Sequence, residues 1–151
     1  MTSEQGVGPK DISPEDISAF WFEEIERKFW FSSNEAFDTL IRDRFEAASQ
    51  ALASQLSDAA PHNWESQTET SLALIIALDQ FPRNMYRNTP KAFAWDSLAE
   101  AVTLRMIERG QDLQVAKDHR AFVYMPLMHS ESLASQDKCV EMCETRLDNE
   151  G

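Results

Sequence analysis

Glycine is scarce in this 151-residue chain. Gly6, Gly8 and Gly151 lie near the ends, so Gly110 is the sole glycine between Pro9 and Glu150. Strands joined by tight turns draw on glycine for positive φ, so its scarcity points to helices. Cysteine is nearly absent as well. Cys139 and Cys143 are four apart, a spacing on one helix that does not suit disulfide geometry. No second Cys/His pair with zinc-like spacing accompanies them, so no metal site is expected. No apolar run reaches membrane-spanning length and no signal peptide is evident, which leads us to expect a cytoplasmic protein. Basic residues are few. The net charge is −12, which excludes the general basic surface that nucleic acids or anionic membranes require. P-loop, dinucleotide-binding glycine and His-Glu-x-x-His patterns are missing, and no cofactor can be named from the sequence.

What is present is helical punctuation. Residues 1–12 read as a disordered leader, 13–145 as one all-α domain and 146–151 as an acidic tail. Ser13-Pro14-Glu15-Asp16 is a helix start: an N-cap, a proline in the first turn and acids on the positive dipole end. Phe37, Leu40, Ile41, Arg44, Phe45, Ala48, Leu52 and Leu56 set one face of a second helix, and Ala59–Asn63 form a loop. A third helix is expected over Thr68–Gln80, broken by Pro82, which should bias Phe81 away from helical angles. Thr89-Pro90 reopens a fourth helix, whose buried side would include Phe93, Trp95, Ala99, Val102 and Met106, with Gly110 at its end. A shorter helix covers Ala116–Met125 and stops at Pro126; Ser130 opens the last. Five to six antiparallel helices in αα-hairpins make a bundle or a short superhelix.

The densest chemistry lies at the end of the third helix. Asp79, Gln80, Arg83, Asn84 and Arg87 crowd into nine positions, between apolar anchors. The surrounding stretch, residues 61–130, carries eight acids and seven bases, so it is far less acidic than its flanks. Paired arginine forks match carboxylate or phosphate oxygens. The same residues could instead staple the helix end, with Asp79 pairing an arginine. A second cluster comprises Arg120, Tyr124, His129, Ser130, Glu131 and Gln136. His129 is a candidate acid or base near neutral pH, with Glu131 beside it. Ser130 is better read as a cap than as a nucleophile, and His129, Glu131 and Asp79 fall short of a convincing metal-ligand set. Phe20, Trp21, Phe22, Phe29, Trp30 and Phe31 read as helix packing, and His62 and His119 as surface residues.

Residues 72–87, LALIIALDQFPRNMYR, followed by Thr89-Pro90 and Ala92-Phe93-Ala94, resemble the signature of the bacterial domain-of-unknown-function family numbered 924. So does Arg120-x-Phe122-x-Tyr124-x-Pro126-Leu127-x-His129-Ser130-Glu131, with Gln136 after it. Trp30-Phe31, Phe37-Asp38 and Trp64 fit the same pattern, and the likeness spans roughly residues 15–140. The resemblance implies a tetratricopeptide-like all-α fold and no established reaction. The family usually has glycine where this chain has Asn88, and usually continues into a further helix with a second Phe-Pro-x-Arg-Asn-like motif.

Three functions follow as expectations. The first is a module that holds a small anionic molecule in a pocket built from both clusters, with Asp79, Gln80, Arg83, Asn84, Arg87, Arg120, Tyr124 and Gln136 as its contacts. The second is an enzyme using His129, helped by Glu131 or Asp79, in that pocket. The third is a scaffold for a peptide.

Overall fold

The computed structural model describes residues 12–56 and 61–147. The leader up to residue 11, Ala59 and Ala60 of the expected loop, and residues 148–151 of the tail lie outside them. The described residues form an all-α fold: seven α-helices joined by 3₁₀ turns, π turns and short loops, with no strand among them. They are α1 (Pro14–Ala19), α2 (Glu35–Gln55), α3 (Thr68–Ile75), α4 (Phe81–Met85), α5 (Asp96–Glu108), α6 (Ala121–Met128) and α7 (Leu133–Arg146).

The start signals act as expected at α1. The Ser13 hydroxyl accepts the Asp16 amide and the Asp16 carboxylate accepts the Ser13 amide, closing a capping box. Asn34 caps α2 by accepting the Phe37 amide at 3.0 Å. Gly110 adopts φ 73° and ends α5, the left-handed conformation a side chain resists.

Pro82 does not break the third helix. Phe81 keeps helical angles (φ −58°, ψ −42°), and α3 runs into α4 through one π turn, Ile76–Gln80. The Phe81 amide reaches back five residues to the Ile76 carbonyl. This widened turn admits the proline without a sharp bend. It also orphans the Ala77 carbonyl, which would otherwise accept the Phe81 amide. The Ser49 hydroxyl of α2 donates to it at 2.9 Å, in a fully buried position. Serine in the middle of an amphipathic helix thus satisfies a buried carbonyl on its neighbour.

The second proline also differs from expectation. Pro126 lies inside α6, and residues 117–120 form turns ahead of it. The Thr103 hydroxyl donates to the Val123 carbonyl at 2.7 Å from α5, again meeting a main-chain acceptor from outside the helix. Ser132, not Ser130, caps α7 by accepting the Ser135 amide, while Ser130 accepts the Ser132 amide within the preceding turn.

The core sits around the α3–α4 rod, where Leu72–Leu78 and Phe81 are buried. Phe81 stacks on Phe45 of α2 with centroids 4.7 Å apart, and Phe45 meets Phe20 at 5.0 Å. Trp21 packs edge-on against Phe81 and against Phe122 of α6. Aromatic contacts of this kind add about 0.5–1.5 kcal/mol each beyond area burial. Phe20 and Trp21 are core, but Phe31 is 70% exposed. Phe93 is 58% exposed and lies over Arg83, 5.3 Å from centroid to guanidinium carbon. His119 stacks on Phe22 at 4.0 Å and His62 caps the turn before α3, so neither is a simple surface residue.

Candidate functional site

The candidate residues fall into three groups. The first centres on Asp79, which is wholly buried at the end of the π turn. Its Oδ1 takes a 2.9 Å hydrogen bond from His129 Nδ1, and its Oδ2 accepts Gln80 Nε2 at 2.9 Å. A carboxylate only accepts, so the proton of this bond sits on Nδ1 and Nε2 is the remaining ring nitrogen. Arg83 donates to the Asp79 carbonyl at 2.7 Å and forks onto Asp96 of α5 at 2.9 and 3.0 Å. Its contact with the Asp79 carboxylate is a looser 3.4 Å. Three helices therefore meet on one carboxylate and one guanidinium. The turn after α6 brings His129 here; Glu131, two residues on, is exposed and makes no contact with the ring among the described residues. Gln136 donates to the Ser130 carbonyl at 2.8 Å and ties down the start of α7.

The second group lies at the other end of α4. Arg87 forks onto Asp38 of α2 at 2.7 and 3.0 Å and reaches the Ser32 carbonyl at 3.1 Å. Asn84 donates to the same carboxylate at 2.9 Å. Burial alone would raise the Asp38 pKa. The hydrogen bonds from Arg87 and Asn84, with the charges of Arg87 and Arg42, outweigh it and hold the carboxyl below its usual range. Beside this knot opens a polar cleft of about 460 Å³, lined by Glu35, Asp38 and Arg42 from α2 and by Asn84, Arg87 and Asn88 from the far side. Arg42 gives its Nε to the Met85 carbonyl at 3.2 Å, and neither Nη has a partner among the described residues. Tyr86 also lines the cleft, and its pKa is raised to about 12 by burial and by its hydrogen bond to Glu46. Asn88, at the rim, holds φ 68°, a left-handed value that asparagine tolerates better than most residues.

The third group is distant from both in its partners. Arg120 is spent on main-chain carbonyls of Leu113, Val115 and Arg146. Tyr124 donates to the buried Asp112 at 2.6 Å, and Arg146 donates to the same carboxylate oxygen at 2.7 Å. Burial and that hydrogen bond push the Tyr124 pKa up. Arg120 and Tyr124 thus join α6 to the end of α7, and no contact links them to Arg83, Arg87 or His129 among the described residues.

Sequence reasoning singled out Asp79, Arg83, Asn84, Arg87 and His129 but passed over three of their neighbours. Asp38 accepts three hydrogen bonds, Asp96 holds Arg83 and Arg42 opens the cleft. The i, i+4 spacing of Asp38 and Arg42 on a helix beginning at Asn34 was the available signal. No group of three or more His, Cys, Asp or Glu side chains suited to a metal ion occurs among the described residues. No described helix is long and apolar enough to cross a membrane.

An all-helical protein with two buried carboxylate knots on one continuous central rod is the class these features define. Within it, the chain belongs to the family described as bacterial protein of unknown function (DUF924), whose model matches residues 17–150. Among solved structures it is similar to a protein of unknown function, ATU0120 from Agrobacterium tumefaciens, at 37% identity and a TM-score of 0.79. That likeness covers 87% of this chain and 72% of the other. No curated protein matches.

Proposed function

We propose that the protein binds a small molecule bearing a carboxylate or phosphate, and that the site is the cleft between α2 and the end of α4. One observation carries this reading. Arg42 lines the cleft and neither of its Nη groups has an acceptor among the described residues, beside the Arg87 fork that is fixed on Asp38. A guanidinium already anchored through its Nε loses little further freedom on gripping an anion. The cleft lies at the end of the DQFPRNMYR stretch, and no residue of the His129-Ser130-Glu131 segment lines it. Arg83 and Arg120 serve as ties within the fold, since their donors are engaged by Asp96 and Asp79 and by main-chain carbonyls. The test is calorimetric titration with phosphate, citrate and simple carboxylates. Saturable binding that disappears in Arg42→Gln, with an unchanged melting temperature, supports the reading. Equal binding by wild type and variant refutes it.

The Asp79–His129 hydrogen bond favours a second reading, an enzyme. A buried carboxylate that fixes the proton on Nδ1 leaves Nε2 as a base of defined direction. Asp79, not Glu131, is then the positioning residue. A His129→Gln variant would keep cleft affinity and lose turnover of any compound the protein converts.

A further inference from the structure

The charges lining the cleft are of both signs, and their order narrows the ligand class. Glu35, Asp38 and Arg42 stand at i, i+3 and i+7 of α2, so they share one helix face over two turns, about 10 Å. The middle of this row is neutralised, because Arg87 forks onto Asp38. Its two ends are not. Glu35 makes no ion pair or side-chain hydrogen bond among the described residues, and Arg42 is engaged only through Nε. One unpaired anion and one unpaired cation therefore face the same 460 Å³ of space, separated by a spent pair.

Resting on the reading of this cleft as a binding site, we infer that its ligand is a small zwitterion with ammonium and carboxylate held apart by an extended chain. The ammonium lies at Glu35 and the carboxylate at Arg42. An anion alone satisfies Arg42 but leaves Glu35 on the same wall as a like charge, which weakens binding. An α-amino acid carries both charges on one carbon and is too short to reach both ends. A chain of a few methylenes matches the two-turn span, and the cleft volume suits a ligand of that size.

The experiment is a titration of the wild-type protein, and of Glu35→Gln and Arg42→Gln, followed by calorimetry and by amide shifts at Ser33 and Asn88. The probes are ε-aminocaproate, caproate, glycine and inorganic phosphate. Both substituted side chains are exposed, so the variants keep the fold. The expected result is saturable binding of ε-aminocaproate, with caproate weaker by about tenfold. Glu35→Gln brings ε-aminocaproate down to the level of caproate, and Arg42→Gln removes both. Caproate or phosphate binding as tightly as ε-aminocaproate, with no effect of Glu35→Gln, overturns the zwitterion and leaves the anion site standing. Glycine binding as well as ε-aminocaproate overturns the extended span. An absence of shifts at the cleft for every probe, or indifference to Arg42→Gln, overturns both readings.

Discussion

Asp79 and His129 lie fifty positions apart and share a 2.9 Å hydrogen bond, with the carboxylate wholly buried and the ring one-fifth exposed. The bond ties the central rod to the turn between α6 and α7. Removing the acid strands a histidine Nδ1–H and a glutamine amide and deletes the looser 3.4 Å contact of Arg83, whose fork stays on Asp96. Asp79→Ala should therefore destabilise the protein by about 3–5 kcal/mol, the range for breaking a buried charged network. Urea unfolding measures it. His129→Gln, which keeps a donor for the carboxylate, should cost much less. Equal losses in the two variants would show that the carboxylate has no special place in the fold.

Ser49 supplies the hydroxyl that satisfies the Ala77 carbonyl at the π turn. Ser49→Ala leaves that buried acceptor without a donor and should cost about 1–3 kcal/mol. Ser49→Thr keeps the hydroxyl but adds a methyl to a site with no exposed surface. A neutral Ser49→Ala result in chemical denaturation would mean that the π turn does not depend on α2.

Asn88 holds φ 68° at the rim of the cleft. Asn88→Gly should leave stability unchanged or raise it slightly, whereas Asn88→Ala should fall about 1 kcal/mol below Asn88→Gly, because alanine keeps a Cβ in the left-handed region and loses the short polar side chain that lets asparagine tolerate it. Thermal unfolding of the pair decides this, because the two variants differ by one methyl at an exposed site.

Two groups set the acid response. The folded-state pKa of Asp38 is depressed below its unfolded value of about 3.9. Its contribution is therefore complete above that unfolded value and is lost as pH falls through the folded one. His62 is depressed too, chiefly by burial, with Glu65 opposing. Its neutral ring accepts the Trp64 amide through Nδ1 at 3.0 Å. The His62 contribution is complete above about pH 6.5 and fades as pH drops through its lower folded value. Amide exchange at Trp64, corrected for the intrinsic rate, should rise as pH falls below about 6.5, before the Asp38 knot loosens. Simultaneous loss of protection at both places would contradict the separation.

The helical character of the chain was legible because it rests on local signals: the Ser13 box, the apolar stripe of α2 and the lone interior glycine. The proline positions misled because their effect depends on distant partners. Nothing near Pro82 announces that the helix widens by a residue and borrows a hydroxyl from Ser49. The cluster at residues 79–87 was legible as dense polarity, but its division was not. Arg83 and Arg87 lie one helical turn apart on the rod, yet their forks fall on acids from α5 and α2. Arg120 shows the same limit, since three main-chain carbonyls, invisible in side-chain patterning, claim its donors.

The rod from Thr68 to Met85 has a further consequence. Its residues are packed by α1, α2, α5 and α6 at once. None of these four can detach while the others keep their own support, so the rod and its four neighbours should melt in one step and resist division into smaller folding fragments. Proteolytic nicking between Ile76 and Met85 would not release a stable half; it would dissolve the whole.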